Sequence, residues 1–358
     1  MRKLFVGAMM IAMLITIGGA QSATNAQPYK VIKTAKVGGA GGFDYVYADA
    51  VGRRLYIPRT GATPRVTVFD LDTLEPVGEI PNANARGAAV DPVSGHGFCS
   101  SKPVVMWDAK TLAVIKTIDV QGNPDGILFD PFNQRVYVFS HSAPNATVID
   151  AKDGSVVGTI DLGGAPEQGV TDGKGHIYVD IEDKDNVAVV DAKTLTVTAH
   201  YDLGGKGGGP AGLAFDVKNG ILFAACHAPA TMVALNAADG KILAALPIGT
   251  GVDGAVFNPA TMEAFSSQGD GTLTVVKESD LATFVVVQNV ATQRSAKTLT
   301  LDAKTNRILL IAAEYTPPPA QPQPKQDQAA PPAKPPAGQR GGRGPMVPDS
   351  FSILVVAR

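Results

Sequence analysis

Seven Asp or Asn residues mark the chain at a near-constant interval: Asp49, Asp91, Asp130, Asp172, Asp216, Asn258 and Asp302, with gaps of 42, 39, 42, 44, 42 and 44. Each ends a short apolar run and opens a polar turn. The clearest copy is FDPFNQRVYVFSHSAPNATVIDAKDGSVVGTI, Phe129 to Ile160, whose apolar segments are cut by turn clusters and carry no helical period. A third strand and its turn recur as VTVFDLDTLEPVGEI, VVMWDAKTLAVIKTI, ATVIDAKDGSVVGTI, VAVVDAKTLTVTAHY and MVALNAADGKILAAL, and more weakly as LTVVKESDLATFVVV. Asp91-Pro92, Asp130-Pro131 and Asn258-Pro259 place an Asx side chain where it can cap a turn, and Asp153-Gly154 and Asp239-Gly240 read as hairpin connections. Four strands in about 42 residues is the length of a propeller blade.

The two ends of the chain fix the count. The seventh copy supplies two strands in KTLTLDAKTNRILLIAA and a third in SFSILVVAR, where the sequence stops. Its fourth is expected from the other end, where VIKTAKVGG (Val31 to Gly39) reads like VVGTIDLGG (Val157 to Gly164). The expected fold is therefore all-β: a seven-bladed β-propeller of four-stranded antiparallel blades, closed by an N-terminal strand over residues 31–37. Closure removes the sheet edge that would leave backbone groups unpaired. Abundant Gly (39) and Pro (26) with only 18% charged residues suit many tight turns.

Residues 1–26 read as a secretory signal peptide: Arg2-Lys3, an apolar run from Leu4 to Ile17, then small residues. An uncleaved anchor is the alternative, although the run falls short of the ~20 residues a membrane span needs. Residues 27–358 then form one exported domain, periplasmic or extracellular. A net charge of −2 gives no general attraction to nucleic acid. Cys99 and Cys226 sit in apolar runs and, three blades apart, are expected to be buried thiols and not a disulfide.

The stretch RVYVFSHSAPNATVIDAKDGSVVGTI, with LYIPR and IYVDI as weaker echoes, resembles the repeat of bacterial YVTN-type (YncE-like) β-propellers. The resemblance implies the propeller fold over essentially the whole mature chain. It implies no particular activity, because the repeat motif is structural.

Function must come from the ring positions. Counting five residues back from each repeat Asx gives Asp44, Arg86, Asp125, Glu167, Ala211, Asp253 and Lys297, four acids against two bases at one mouth of the channel. Counting eleven forward gives Thr60, Lys102, His141, Asp183, His227, Gly269 and Ala313 in the second-to-third strand loops of the same face. Glycines at Gly87, Gly126, Gly169, Gly212 and Gly254 fit converging inner strands. The reading is a non-enzymatic binding scaffold, expected to be monomeric, that takes a protein, polymer or small molecule at an acidic mouth. Asp44, Arg86, Asp125, Glu167, Asp253 and Lys297 would recognise a cationic or mixed-charge ligand. The alternative is a lactonase-like hydrolase with a divalent metal ion in the Asp125/His141/Glu167/Asp183/His227 sector, with His141, His227 and Asp183 as ligands. Duplication alone would also leave such a charged, solvated face.

No G-x-S-x-G elbow or phosphate-loop spacing occurs. The low-complexity insertion at residues 316–348, of charge +3, is expected to be disordered and to replace the second-to-third strand loop of blade seven.

Overall fold

The Asx period becomes turn chemistry. In all seven units the side-chain oxygen of the repeat Asp or Asn accepts the backbone N–H two residues on, at 2.7 to 3.2 Å, from Val51 N in the first to Lys304 N in the last. The second marker, the Asp ending the third strand, does the same: Asp70, Asp108 and Asp191 each accept the N–H three residues ahead at 2.7 to 2.8 Å. These local bonds satisfy turn donors that would otherwise depend on water, so one side chain per turn sets where each strand stops.

The computed structural model describes residues 27–143, 145–317 and 344–358. The leader expected over residues 1–26 and most of the low-complexity insertion lie outside the described residues. The strands form seven four-stranded antiparallel sheets arranged as a seven-bladed β-propeller. Six blades are consecutive in sequence. The seventh combines Leu299–Asp302, Arg307–Ala312 and Ser352–Ala357 with the N-terminal strand Lys30–Lys36, one residue earlier than the sequence places it. Lys36 pairs with Ser352 and Lys30 with Ala357.

The core lies between blades. Among the described residues seven apolar clusters occur, each built from two adjacent blades. Trp107 is fully buried between blades one and two, 5.6 Å from the Tyr56 ring. Its strand partner is Gly97, where a Cβ would come within 2.1 Å of the indole. The seams also carry hydrogen bonds. The buried Ala151 carbonyl accepts Ser94 Oγ at 3.2 Å and lies 3.0 Å from His96 Nδ1. Ala192 O accepts Asn133 Nδ2 at 2.9 Å, and Ala237 O accepts Tyr178 OH at 3.1 Å. The recurrent Asp-Ala or Asn-Ala pair thus has two duties: the Asp or Asn caps its own hairpin, and Ala, small enough to be buried, offers its carbonyl to the preceding blade. His96 is half-buried in this seam.

Blade six departs from the motif because its outer hairpin is longer, with nine-residue strands Thr272–Asp280 and Thr283–Ala291. In blade seven the chain around the insertion is held as a short ladder, with Thr316 N donating to Pro345 O at 2.9 Å and Val347 N to Glu314 O at 2.8 Å. The insertion therefore leaves from the loop the repeat count assigns to it. Cys99 and Cys226 are free and buried. Among the described residues no helix is long and apolar enough to cross a membrane.

The closing strand is fastened to blade six as well as to its own sheet. Tyr29 OH donates to Glu263 Oε2 at 2.7 Å, its ring meets Phe265 edge-on at 5.2 Å, and the Arg358 guanidinium lies 4.6 Å from its centroid. Gln288 bonds both Tyr29 backbone groups, at 2.9 and 2.7 Å. Tyr29→Ala should therefore cost roughly 3–5 kcal/mol, the range for truncating a buried aromatic. Exposed Ile32→Ala on the same strand should cost little. Urea unfolding of the two variants checks this, and equal midpoints would show that Tyr29 does not fasten the ring.

Candidate functional site

The starts of the inner strands converge on the channel mouth, and the packing there leaves no room for side chains at the glycines. A Cβ on Gly126 would lie 2.6 Å from Glu167 O, and one on Gly212 would lie 2.6 Å from the backbone carbon of Gly254. Backbones this close bring ring-position side chains of neighbouring blades within reach of one another.

The structure links six of the seven ring positions, together with His141, into chains of opposite charge. Arg86 Nη1 of blade two reaches Asp44 Oδ2 at 3.1 Å, and its Nε lies 3.5 Å from Asp125 Oδ1 of blade three. His141 Nε2 lies 2.9 Å from Asp125 Oδ2 and 3.2 Å from Glu167 Oε1 of blade four. Lys297 of blade seven is paired tightly with Asp253 of blade six and stands 3.8 Å from Asp44 Oδ1. Asp125, Glu167, Asp253 and Lys297 are all buried. Charges so withdrawn from water are tolerated because each is paired. The seventh slot, Ala211, is apolar and buried.

Hydrogen bonds to Asp125 and then Glu167 raise the His141 imidazole to about 10 against an opposing effect of burial. Near neutral pH the ring is an imidazolium, a third cation that the acid count of the sequence did not include. Burial raises the Asp44 carboxyl above the usual range, with Lys297 opposing. The mouth is a nearly balanced ion-pair network and not an acidic funnel.

Asp183 and His227 do not join it. Asp183 lies in a short 3-10 turn, Glu182–Lys184, where its carboxylate accepts Ala165 N at 2.7 Å and meets Lys184 Nζ at 2.9 Å. His227 Nε2 stands 3.9 Å from Glu182 Oε1. Among the described residues, one set of three possible ion ligands has its donor atoms mutually within 4.8 Å, and it is Asp125, His141 and Glu167. The expected grouping of His141, Asp183 and His227 fails because equal repeat position fixes where a loop begins and not where its side chains turn.

Several site residues carry no repeat signal. Tyr45 OH donates to Glu167 Oε2 at 2.7 Å, and burial, then Glu167, raises its phenol well above the ordinary range. Asp180 is fully buried, and burial, then Glu167, raises its carboxyl well above the usual range. Gln168 of blade four reaches blades five and six: Oε1 accepts Leu213 N at 3.1 Å and Ala255 N at 3.0 Å, and Nε2 donates to Ala255 O at 2.9 Å. Ser100 Oγ accepts Gly87 N at 2.8 Å and donates to the Asp125 carbonyl. An open cavity of about 270 Å³ lies beside the network, walled by blades one to three. Asp44, Arg86 and Lys102 share its lining with Asn84, Asn123, Thr60 and Ser101.

No protein-family model and no curated protein sequence matches the chain. Solved structures do match in shape. A chain in the crystal structure of the mitotic checkpoint complex superposes with a TM-score of 0.69 at 10% identity, covering 85% of this chain and 96% of that one. A functionally unknown protein from Desulfotomaculum acetoxidans DSM 771 gives 0.60 at 14% identity, covering 69% and 85%. At these identities the likeness is one of fold alone.

The imidazolium has a consequence for stability. Because its folded value is raised above the ordinary 6.5, its contribution is fully present below that pH and is lost as pH rises through about 10. In chelator-treated protein the melting midpoint should fall across this window, and the slope should flatten in His141→Gln. An imidazole resonance titrating near 6.5 would contradict the pairing.

Proposed function

We propose that the protein is a non-enzymatic binding propeller that takes a small ligand of mixed charge at the channel mouth. The observation that carries this reading is the cavity beside the ion-pair network. It is polar and lined by donors and acceptors of different kinds. The Arg86 side chain is 48% exposed, so N–H groups of its fork remain available after the contacts to Asp44 and Asp125. Lys102, also exposed, donates to Gly122 O at 2.8 Å, which holds its ammonium against the cavity wall. Asn84 and Asn123 bring carboxamides, which both donate and accept.

This lining refines the range of ligands. A purely cationic ligand would have to compete with Arg86, His141 and Lys297 for carboxylates already engaged. A ligand that offers a carboxylate or phosphate to Arg86 and Lys102, and a hydroxyl or ammonium to Asp44, leaves those pairs intact. Of the five residues of the hydrolase reading, Asp125, His141 and Glu167 meet while Asp183 and His227 lie elsewhere, and the Cys99 thiol is pushed up by burial to about 11. The export expected from residues 1–26 and the kinship with YVTN-type propellers belong to the same proposal, resting on sequence alone.

The test uses defined probes, namely free amino acids, dipeptides and sugar acids, in a melting-temperature screen. A ligand at a hundred times its Kd should stabilise by about 2.7 kcal/mol. Arg86→Ala and Lys102→Ala should each weaken the best binder by at least roughly tenfold, the loss of one charge-assisted contact. Binding unchanged in the double variant, or turnover of any ester or lactone, would reject the reading.

A further inference from the structure

Asp125 and Glu167 are each buried, and each divides its two carboxylate oxygens between a holder and a shared centre. Glu167 gives Oε2 to the Tyr45 hydroxyl and turns Oε1 to His141. Asp125 sets Oδ1 beside Arg86 Nε and turns Oδ2 to His141. Asp125 Oδ1 makes no hydrogen bond although Asp125 is only 4% exposed, and its partner is the Arg86 guanidinium at 3.5 Å. Three donor atoms, Asp125 Oδ2, Glu167 Oε1 and His141 Nε2, therefore face one point, with the two measured edges 2.9 and 3.2 Å long.

An octahedral ion with bonds of 2.0–2.2 Å sets neighbouring ligands about 3.0 Å apart. The two measured distances fit two edges of such an octahedron, and the third donor pair, Asp125 with Glu167, lies within 4.8 Å. We infer that Asp125, His141 and Glu167 form a divalent transition-metal site, with the remaining coordination positions open toward the channel mouth. One imidazole with two carboxylates suits Zn²⁺, Mn²⁺ or Co²⁺; it is too hard for Cu(I) and carries a nitrogen that Mg²⁺ and Ca²⁺ do not favour. His141, 34% exposed, gives an entering ion a path from solvent. Tyr45 is the positioning residue, because its bond to Oε2 fixes which way Oε1 points. Binding displaces the proton held between the imidazole and the carboxylates, and that proton passes to solvent.

This site stands apart from the ligand reading: the ion needs neither Lys102 nor the cavity amides. Co²⁺ titration of the chelator-stripped full chain, followed by visible absorption and by calorimetry, tests it. One equivalent is expected, with d–d bands that vanish in His141→Ala, and Tyr45→Phe should weaken uptake by roughly 10–100-fold. Lys102→Ala should bind the ion as the parent does while failing in the ligand screen, so the two readings can fail separately. Should His141→Ala lose its fold by circular dichroism, Glu167→Gln, which keeps the shape and removes the charge, takes its place. No uptake by the parent chain, or uptake unchanged in the folded His141 or Glu167 variant, overturns the site.

Discussion

Ring closure is the constraint on which the structure depends. Six blades are made of consecutive chain, and only the pairing of Lys30–Lys36 with Ser352–Ala357 turns an open stack into a ring. Without it the last sheet would present an unpaired edge. The seventh seam is correspondingly fortified on its other flank. Arg53 of blade one bonds both oxygens of Asp302 at 2.8 Å, and Arg59 is buried with its guanidinium 3.3 Å from the Phe351 ring centroid. Burial without a full set of partners holds Arg59 below the usual guanidinium range, to about 10. The gain from Arg59 therefore comes from stacking and packing more than from ionic pairing.

The mouth inherits its geometry from the ring. Asp44 to Arg86 to Asp125 to Glu167, by way of His141, is a path through blades one, two, three and four, and Lys297 joins blades six and seven back to Asp44. No blade contains a complete site. A small rotation of one blade against the next would part buried charges, which is costly in a medium where little water can replace the lost partner. Charge pairing at the mouth and apolar packing in the seams thus favour the same blade spacing.

Much of this was legible in the residues. The Asx interval fixed the number of blades, and stepping back five residues landed on side chains that do meet at the mouth. The limits have a physical origin too. Inner strands of blades three to six each carry a register irregularity beside the ring position, between Pro124 and Ile127, Pro166 and Gly169, Pro210 and Gly212, and Val252 and Ala255. Such bulges re-aim side chains. This is how Glu167 and Gln168, adjacent in sequence, both come to serve the channel, and no alternation rule would find the second. Tyr45 occurs at no equivalent position in the other copies, so self-comparison could not mark it. The imidazolium was hidden for a different reason: a tally of acids and bases treats histidine as neutral, whereas two carboxylates from different blades make it a cation.

Gln168 shows that the ring is held by two kinds of tie. By bonding to Leu213 and Ala255 it laces the inner strands of blades four, five and six with uncharged hydrogen bonds. Blades one to four are joined at the mouth by ion pairs instead. Salt screens charged contacts and pH sets the charge on His141, whereas neither acts on an amide. One arc of the mouth therefore answers to the surrounding solution, and the arc beside it does not.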